Sequence, residues 1–294
     1  MIDRGITMTE SADSTSTTRE RRIATAAAAL ARHADPGPTA LGSLTDEQLV
    51  VLHGAGDPPA LLTPWLDRSA GSDAERELLL SSAARGELAS GGVAPERTLA
   101  SVEGREPVGD PDDLLPAALP AGIVGRRVYS RRRVTLTDLD DPARGAVQAF
   151  ADLDGSVMQE QISANGIHHF TMSTADSAAR VQVLWMLGDP ELDGEPGGEA
   201  APEVCSGTFE ELLADSDLGA ILASPVRRVQ ILVEDRAERE RRILWVVHDG
   251  ASPVALQPSD PTSEGPSLQR SVLDAVRVGR DGLRAQLSEF LSAG

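Results

Sequence analysis

The side chains able to do chemistry are few and widely spaced in this sequence. Its five histidines are His33, His53, His168, His169 and His248, and its single cysteine is Cys205. A zinc or hydrolytic centre needs several such groups to converge with carboxylates. His168 and His169 are neighbours in a run that reads as a strand, so they point to opposite faces and do not share one metal. One cysteine excludes an internal disulfide and an all-cysteine metal site, and a lone thiol of this kind is more often inert than reactive. Asp138-Leu139-Asp140-Asp141, like Asp110–Asp113, looks like a fragment of a calcium loop. It lacks the glycine at the sixth position and the closing glutamate at the twelfth, so these residues read as solvated turn acids. No Gly-x-Ser-x-Gly elbow and no Gly-x-Gly-x-x-Gly turn occurs, and there is no lysine to complete a phosphate loop. The sequence therefore names no catalytic, metal-binding or cofactor-binding residue.

The charge points away from nucleic acid. The net charge is −19 with all positive charge on arginine, and such a chain repels phosphate backbones unless its basic residues cluster. The one basic run, Arg131-Arg132-Arg133 with Arg126-Arg127, is divided by strand alternation, which sends Arg131 and Arg133 to one face and Arg132 to the other. Pairing with the surrounding acids is the stronger reading. No apolar run approaches the ~18–20 residues of a membrane span, and the N-terminus lacks the basic-then-apolar order of a secretory signal. A cytoplasmic protein without a membrane partner is expected, with Met1 or Met8 as its start. The absence of lysine, the single Asn165 and the wealth of Ala, Gly, Pro and Arg point to a gene of high GC content.

The elements that must position these residues are clearest between 126 and 187. Strand-like runs at 127–136, 145–153, 157–163 and 167–172 are broken by Asp154-Gly155 and Asn165-Gly166, which predict two-residue hairpin turns with positive φ. Ser173 with Asp176 predicts the capping box of a helix carrying Ala178, Val181, Leu184 and Trp185, ended by Gly188 and Pro190. A similar order follows later. Asp112-Asp113-Leu114-Leu115, Arg126-Arg127-Val128 and Asp154-Gly155 are matched by Glu210-Glu211-Leu212-Leu213, Arg227-Arg228-Val229 and Asp249-Gly250, at an offset of roughly 95–101 residues. Strands at 243–248 and 254–256 and a closing helix at 268–291, with Gly279 and Gly282 inside it, complete the second copy. The expected fold is α+β, a largely antiparallel sheet from two related strand-strand-strand-helix units with an N-terminal helical subdomain.

The remaining segments fill in the order of the chain. Residues 1–40 read as a disordered tail to residue 18 and a short alanine-rich helix from Arg19 to His33. Residues 41–120 read as a helical subdomain, with Thr45 and Gln48 capping one helix and Ser72 and Glu75 capping another. The first sheet-helix unit spans 121–187 and the second 208–294. Between them, 188–207 is an acidic Gly/Pro-rich linker, and Thr208 with Glu211 caps the helix after it.

With those features in place, the layout resembles the EspG-like, type VII secretion-associated chaperones of high-GC Gram-positive bacteria. The similar features are the capped helix 72–88 ending in Ala-Ala-Arg-Gly-Glu-Leu, the strand set after Gly125, Ile167-His168-His169-Phe170 running into a capped helix, and the pseudo-repeated order, over roughly 41–294. The resemblance implies a central antiparallel sheet with helical subdomains and a helical-pair protein substrate. The expectation is a non-catalytic, chaperone-like cytosolic protein that holds a helical partner polypeptide for export or assembly. Trp65, in a Pro-flanked segment, is the expected partner-binding anchor, since aromatics commonly anchor interfaces. Trp185 and Trp245 read as core. The alternative is a transcriptional regulator with a helix-turn-helix-like segment at 41–93 and an α/β sensor part.

Overall fold

The computed structural model describes residues 9–54, 61–188, 204–215, 218–249, 253–260 and 267–292. Met8, residues 55–60, residues 189–203 of the expected linker and Gly250 lie outside the described residues. The chain divides into two units, 1–33 with 44–129, and 34–43 with 130–294.

The second unit is built on a ten-stranded sheet. Its strands are β1 (Thr39–Thr45, whose last two residues belong to the other unit), β4 (Arg132–Asp138), β5 (Ala146–Ala151), β6 (Ser156–Ile162), β7 (Ile167–Thr174), β8 (Val204–Thr208), β9 (Arg227–Asp235), β10 (Glu240–His248), β11 (Pro253–Pro258) and β12 (Val272–Arg277). They lie in the order β1-β7-β6-β5-β4-β9-β10-β11-β12-β8, and the pairings from β7 to β8 are antiparallel. Two hairpin meanders, β4 to β7 and β9 to β12, meet where β4 pairs with β9. In that pair Thr135 faces Leu232, with Arg132 facing Asp235 on one side and Asp138 facing Val229 on the other. An axis through the central pair, normal to the sheet, exchanges the two halves.

Each meander ends in a helix on the same face, α7 (Ala175–Leu187) and α10 (Arg280–Leu291). Their buried residues join the inward side chains of the central strands, among them Val134, Leu136, Val147, Val229, Ile231 and Val246, in one core. Leu283, Leu287 and Leu291 of α10 are wholly buried there, each worth ~1.5–3 kcal/mol of apolar transfer. The opposite face of β10 to β12 is covered by α8 (Phe209–Ala214) and α9 (Gly219–Ala223) through Leu212, Leu218, Ile221 and Trp245.

The α+β class and the paired sheet halves are as the sequence indicates, but several local features differ. Residues 127–129 end a helix instead of beginning a strand, because Ala118–Tyr129 forms α6 and β4 starts only at Arg132. Each half has four strands in its meander: β12 occupies the first part of the expected 268–291 helix, and Gly279 is the N-cap of α10, not an internal bend. The last part of the expected linker is edge strand β8. The match of Asp112–Leu115 to Glu210–Leu213 also fails, since Leu114–Pro116 is a short strand, β3. In the strand order, β8 at one edge of the sheet is matched by β1 at the other.

The hairpin turns keep their positions and change type. Asp152 N–H donates to Ser156 O and Gly155 N–H to Asp152 O; Ser163 and Gly166 repeat the pattern with Ile167. Only the glycine has positive φ in each, 76° at Gly155 and 75° at Gly166, so these are four-residue connections closing on a bulge. The helix α7 is capped by Thr174, one residue after Ser173, with Ser177 N–H donating to its hydroxyl.

The first unit is helical: α1 (Thr9–Ala31), α2 (Asp46–His53), α3 (Pro64–Ser69), α4 (Asp73–Ser90), α5 (Glu96–Glu103) and α6, with β2 (Val93–Pro95) paired to β3. It takes in α1, which begins ten residues before Arg19, and extends to Tyr129, past the expected boundary at 120. The alanines of α1 have a specific use. A Cβ at Gly125 of α6 would stand 2.5 Å from Ile23 O and 2.7 Å from Ala27 Cβ, and one at Gly122 would stand 3.0 Å from Ala26 O. Small residues on both helices let the backbones meet.

Candidate functional site

The groups singled out for their chemistry are mostly engaged in holding the sheet. His168 is wholly buried, its Nδ1 bonded to the buried Glu160 carboxylate at 2.5 Å and its ring stacked beside Phe170. His169 points the other way and meets Ser43 Oγ at 2.7 Å. His248, at the end of β10, bonds the carbonyl of Met186 through Nε2 at 3.2 Å. Among the described residues no three His, Cys, Asp or Glu side chains gather as a metal-holding group.

In the acidic loop after β4, Asp140 and Asp141 are exposed turn acids, but Asp138 is not solvated. Asp138 is 2% exposed, accepts the turn N–H groups of Asp140 and Asp141, and faces Arg227 at 3.3 Å. Burying it shapes the turn. Asp140 pairs with Arg228, and the Arg228 hydrogen bonds hold its carboxyl below the usual range despite partial burial. The arginine run is likewise spent on acids: Arg131 and Arg132 on Asp235, Arg133 on Glu234.

Of the tryptophans, Trp245 is core at 2% exposure, and Trp185 is half-buried with the Arg144 guanidinium 4.9 Å from its ring centroid. Trp65 is half-buried at the second position of α3, where its backbone N–H and that of Leu66 both donate to Asp46 Oδ2 at 2.8 Å. Asp46 is the first residue of α2, so one buried carboxylate ties the start of α3 to the start of α2.

Within the helical unit, α2 and α4 form a groove. Thr45 and Gln48 make the reciprocal cap of α2: Gln48 Oε1 accepts the Thr45 N–H at 2.8 Å, while its Nε2 donates to Glu87 Oε1 of α4 at 2.6 Å. That bond closes one end. Gly92 makes it possible, because a Cβ there would lie 1.8 Å from the other Glu87 oxygen. With eight residues α2 is about 12 Å long, whereas the eighteen of α4 run about 27 Å. Beside the longer helix lies an open hollow of about 430 Å³ over Val51, Leu80 and Ala84, with Asp73, Arg76 and Glu77 on its rim. Leu88 continues the Leu80 and Ala84 stripe at one-turn spacing and is 45% exposed; Leu78, to its side, is 65% exposed. Glu87 is the sole buried residue of α4. A smaller hollow on the sheet, beside α10, includes Asp274, whose Oδ1 already accepts from Ser206 and Ser259 at 2.7 Å each.

The groove and Trp65 are separate features, for Trp65 does not line the hollow. The eighteen residues of α4 pack chiefly against the eight of α2, which leaves part of its apolar side half-exposed. Compared with known protein families and with curated proteins, the chain matches none of them.

Proposed function

We propose that this chain is a non-catalytic, cytosolic binding protein that holds a partner polypeptide, in the manner of a chaperone for export or assembly. The observation that carries this reading is α4, an eighteen-residue helix with one buried residue, whose Leu80 and Ala84 line an open hollow with Val51 of α2. Exposed apolar helix faces of this kind mark protein contacts. The placement of three histidines supports it too: His168 and His248 are buried and bonded to Glu160 and to the Met186 carbonyl, and His169 meets Ser43. The sheet-and-helix layout is of the kind implied by the resemblance to EspG-like, type VII secretion-associated chaperones. A DNA-binding use of 41–93 is disfavoured, because the outer face of α4 carries Asp73, Glu75 and Glu77 against Arg76 and Arg85.

The test is co-purification of the full chain from its native cell, followed by mass spectrometry, for the wild type and Trp65→Ala. A stoichiometric polypeptide is expected with the wild type, and its reduction by Trp65→Ala tests that tryptophan as an anchor separate from the groove. A chain that emerges alone, or with only a small metabolite, overturns the proposal.

A further inference from the structure

Resting on that reading, we infer that the α2–α4 groove takes an amphipathic helix of the partner, laid antiparallel to α4 and basic toward its C-terminal end. The floor sets the first half of this. Leu80 and Ala84 lie one turn apart on α4 with Val51 of α2 beside them, and exposed Leu88 continues the stripe one turn past the hollow, so a matching helix presents apolar side chains at the same interval.

The rim sets the charge. Arg76 is already neutralised by Asp67, 3.1 Å away. Asp73 and Glu77 are exposed, make no ion pair among the described residues, and stand one turn apart at the start of α4. An apolar groove ending in two uncompensated carboxylates complements two cationic side chains at the same spacing.

The charge then sets the direction. A helix places cations favourably in its last turns, where the backbone dipole is negative, and unfavourably in its first. Only an antiparallel partner brings its basic C-terminal turns alongside Asp73 and Glu77 while its apolar stripe follows Leu80 to Leu88. The far end, closed by Gln48 and Glu87, then receives the neutral N-terminal part of that helix.

The experiment uses two fluorescent synthetic helices of roughly 20 residues, long enough to span α4. They share one Leu/Ala stripe and differ in having two arginines or two glutamates, one turn apart, near the C-terminus. Binding to the full chain is followed by anisotropy. The arginine peptide is expected to bind saturably and the glutamate peptide about tenfold more weakly or less. Raising salt from about 0.05 to about 0.5 M narrows that gap. The double substitution Asp73→Asn, Glu77→Gln, both at exposed positions, closes it, and Leu80→Asp abolishes binding of both peptides while the circular dichroism stays native. Equal binding of the two peptides, no saturable binding, or binding that survives Leu80→Asp overturns the inference. Repeating the native co-purification with Leu80→Asp separates the two claims. A partner still held at full stoichiometry sinks the groove and leaves the partner-holding function standing, whereas no partner even for the wild type sinks that function itself.

Discussion

Asp138 and Asp235 hold the same position in the two halves of the sheet and do the same work. Asp138 lies three residues past Thr135, and Asp235 three past Leu232, the central facing pair. Oδ1 of Asp138 accepts from Asp140 and Asp141 N–H, and Oδ1 of Asp235 from Ala237 and Glu238 N–H. Oδ2 of each faces an arginine of the other half, Arg227 at 3.3 Å and Arg132 at 2.8 Å. Those arginines go on to cap helix ends across the axis. Arg227 donates to Trp185 O and Met186 O of α7, and Arg132 to Phe290 O and Ser292 O at the end of α10. Each half thus terminates the helix of the other, and neither half is complete alone.

Removing either aspartate leaves a mostly buried guanidinium and two turn N–H groups without their acceptor. Asp138→Ala and Asp235→Ala are each expected to cost about 2–4 kcal/mol, measured by urea denaturation. Because the two clamps sit on opposite sides of one β4–β9 seam, the double substitution is expected to cost as much as or more than the sum of the singles. A loss under about 0.5 kcal/mol for either single change contradicts the clamp.

Gln182 of α7 is wholly buried in the shared core, and neither its Oε1 nor its Nε2 has a hydrogen-bond partner. Its counterpart in the other half, counted from Met186 and Leu291 at the helix ends, is Leu287. Gln182→Leu is expected to raise stability by about 1–2 kcal/mol, since it removes an unpaid desolvation cost and adds apolar contact. The same urea titration reads it, and a destabilised variant refutes the assignment.

Stability is expected to fall as pH drops below about 6.5, in part through His248. Burial holds its imidazole below the ordinary value, outweighing the Met186 carbonyl; Arg227 adds to the depression while Asp249 and Asp138 oppose it. The folded state therefore binds fewer protons than the unfolded one between the depressed value and the ordinary one, and protonation favours unfolding there. Carboxyls held low by arginines, such as Asp140, also lose their contribution on acidification, but in a window below the ordinary carboxylate value. His248→Gln should flatten the fall of the thermal midpoint just below about pH 6.5 and leave the steeper carboxylate loss at lower pH in place. An unchanged slope just below about pH 6.5 contradicts it.

Two glycines on helices should respond with opposite signs. Gly125→Val forces a side chain against the α1 backbone and is expected to destabilise the helical unit by about 1–3 kcal/mol or more. Gly86→Ala, in the interior of α4 with no atom within 4 Å of the new Cβ, is expected to stabilise by about 1 kcal/mol. Thermal denaturation followed by helical circular dichroism measures both.

How far the sequence reaches depends on how local the cause is. Thr45, Ser72 and Thr208 announce their helix starts because the groups they satisfy lie within three residues. The glycines of the two hairpins mark their turns for the same reason, although the turn type followed from the strand register. The antiparallel sheet and its duplication were legible from strand runs and turn dipeptides. The place where the copies begin was not, because the match rested on Arg-rich and acidic identities that fall on α6 and β3 in one copy and on β9 and α8 in the other.

What only tertiary structure decided involves partners distant in sequence. Asp138 reads as a solvated turn acid because its arginine lies in the other half of the sheet, and the alanines of α1 find their partner only in Gly122 and Gly125 of α6, a surface equally small. The groove is the extreme case. Leu80 and Leu88 belong to an ordinary helix by their spacing, and beside the shorter α2 the first is half-exposed and the second exposed, because burial is set by what lies opposite a side chain and not by the side chain itself.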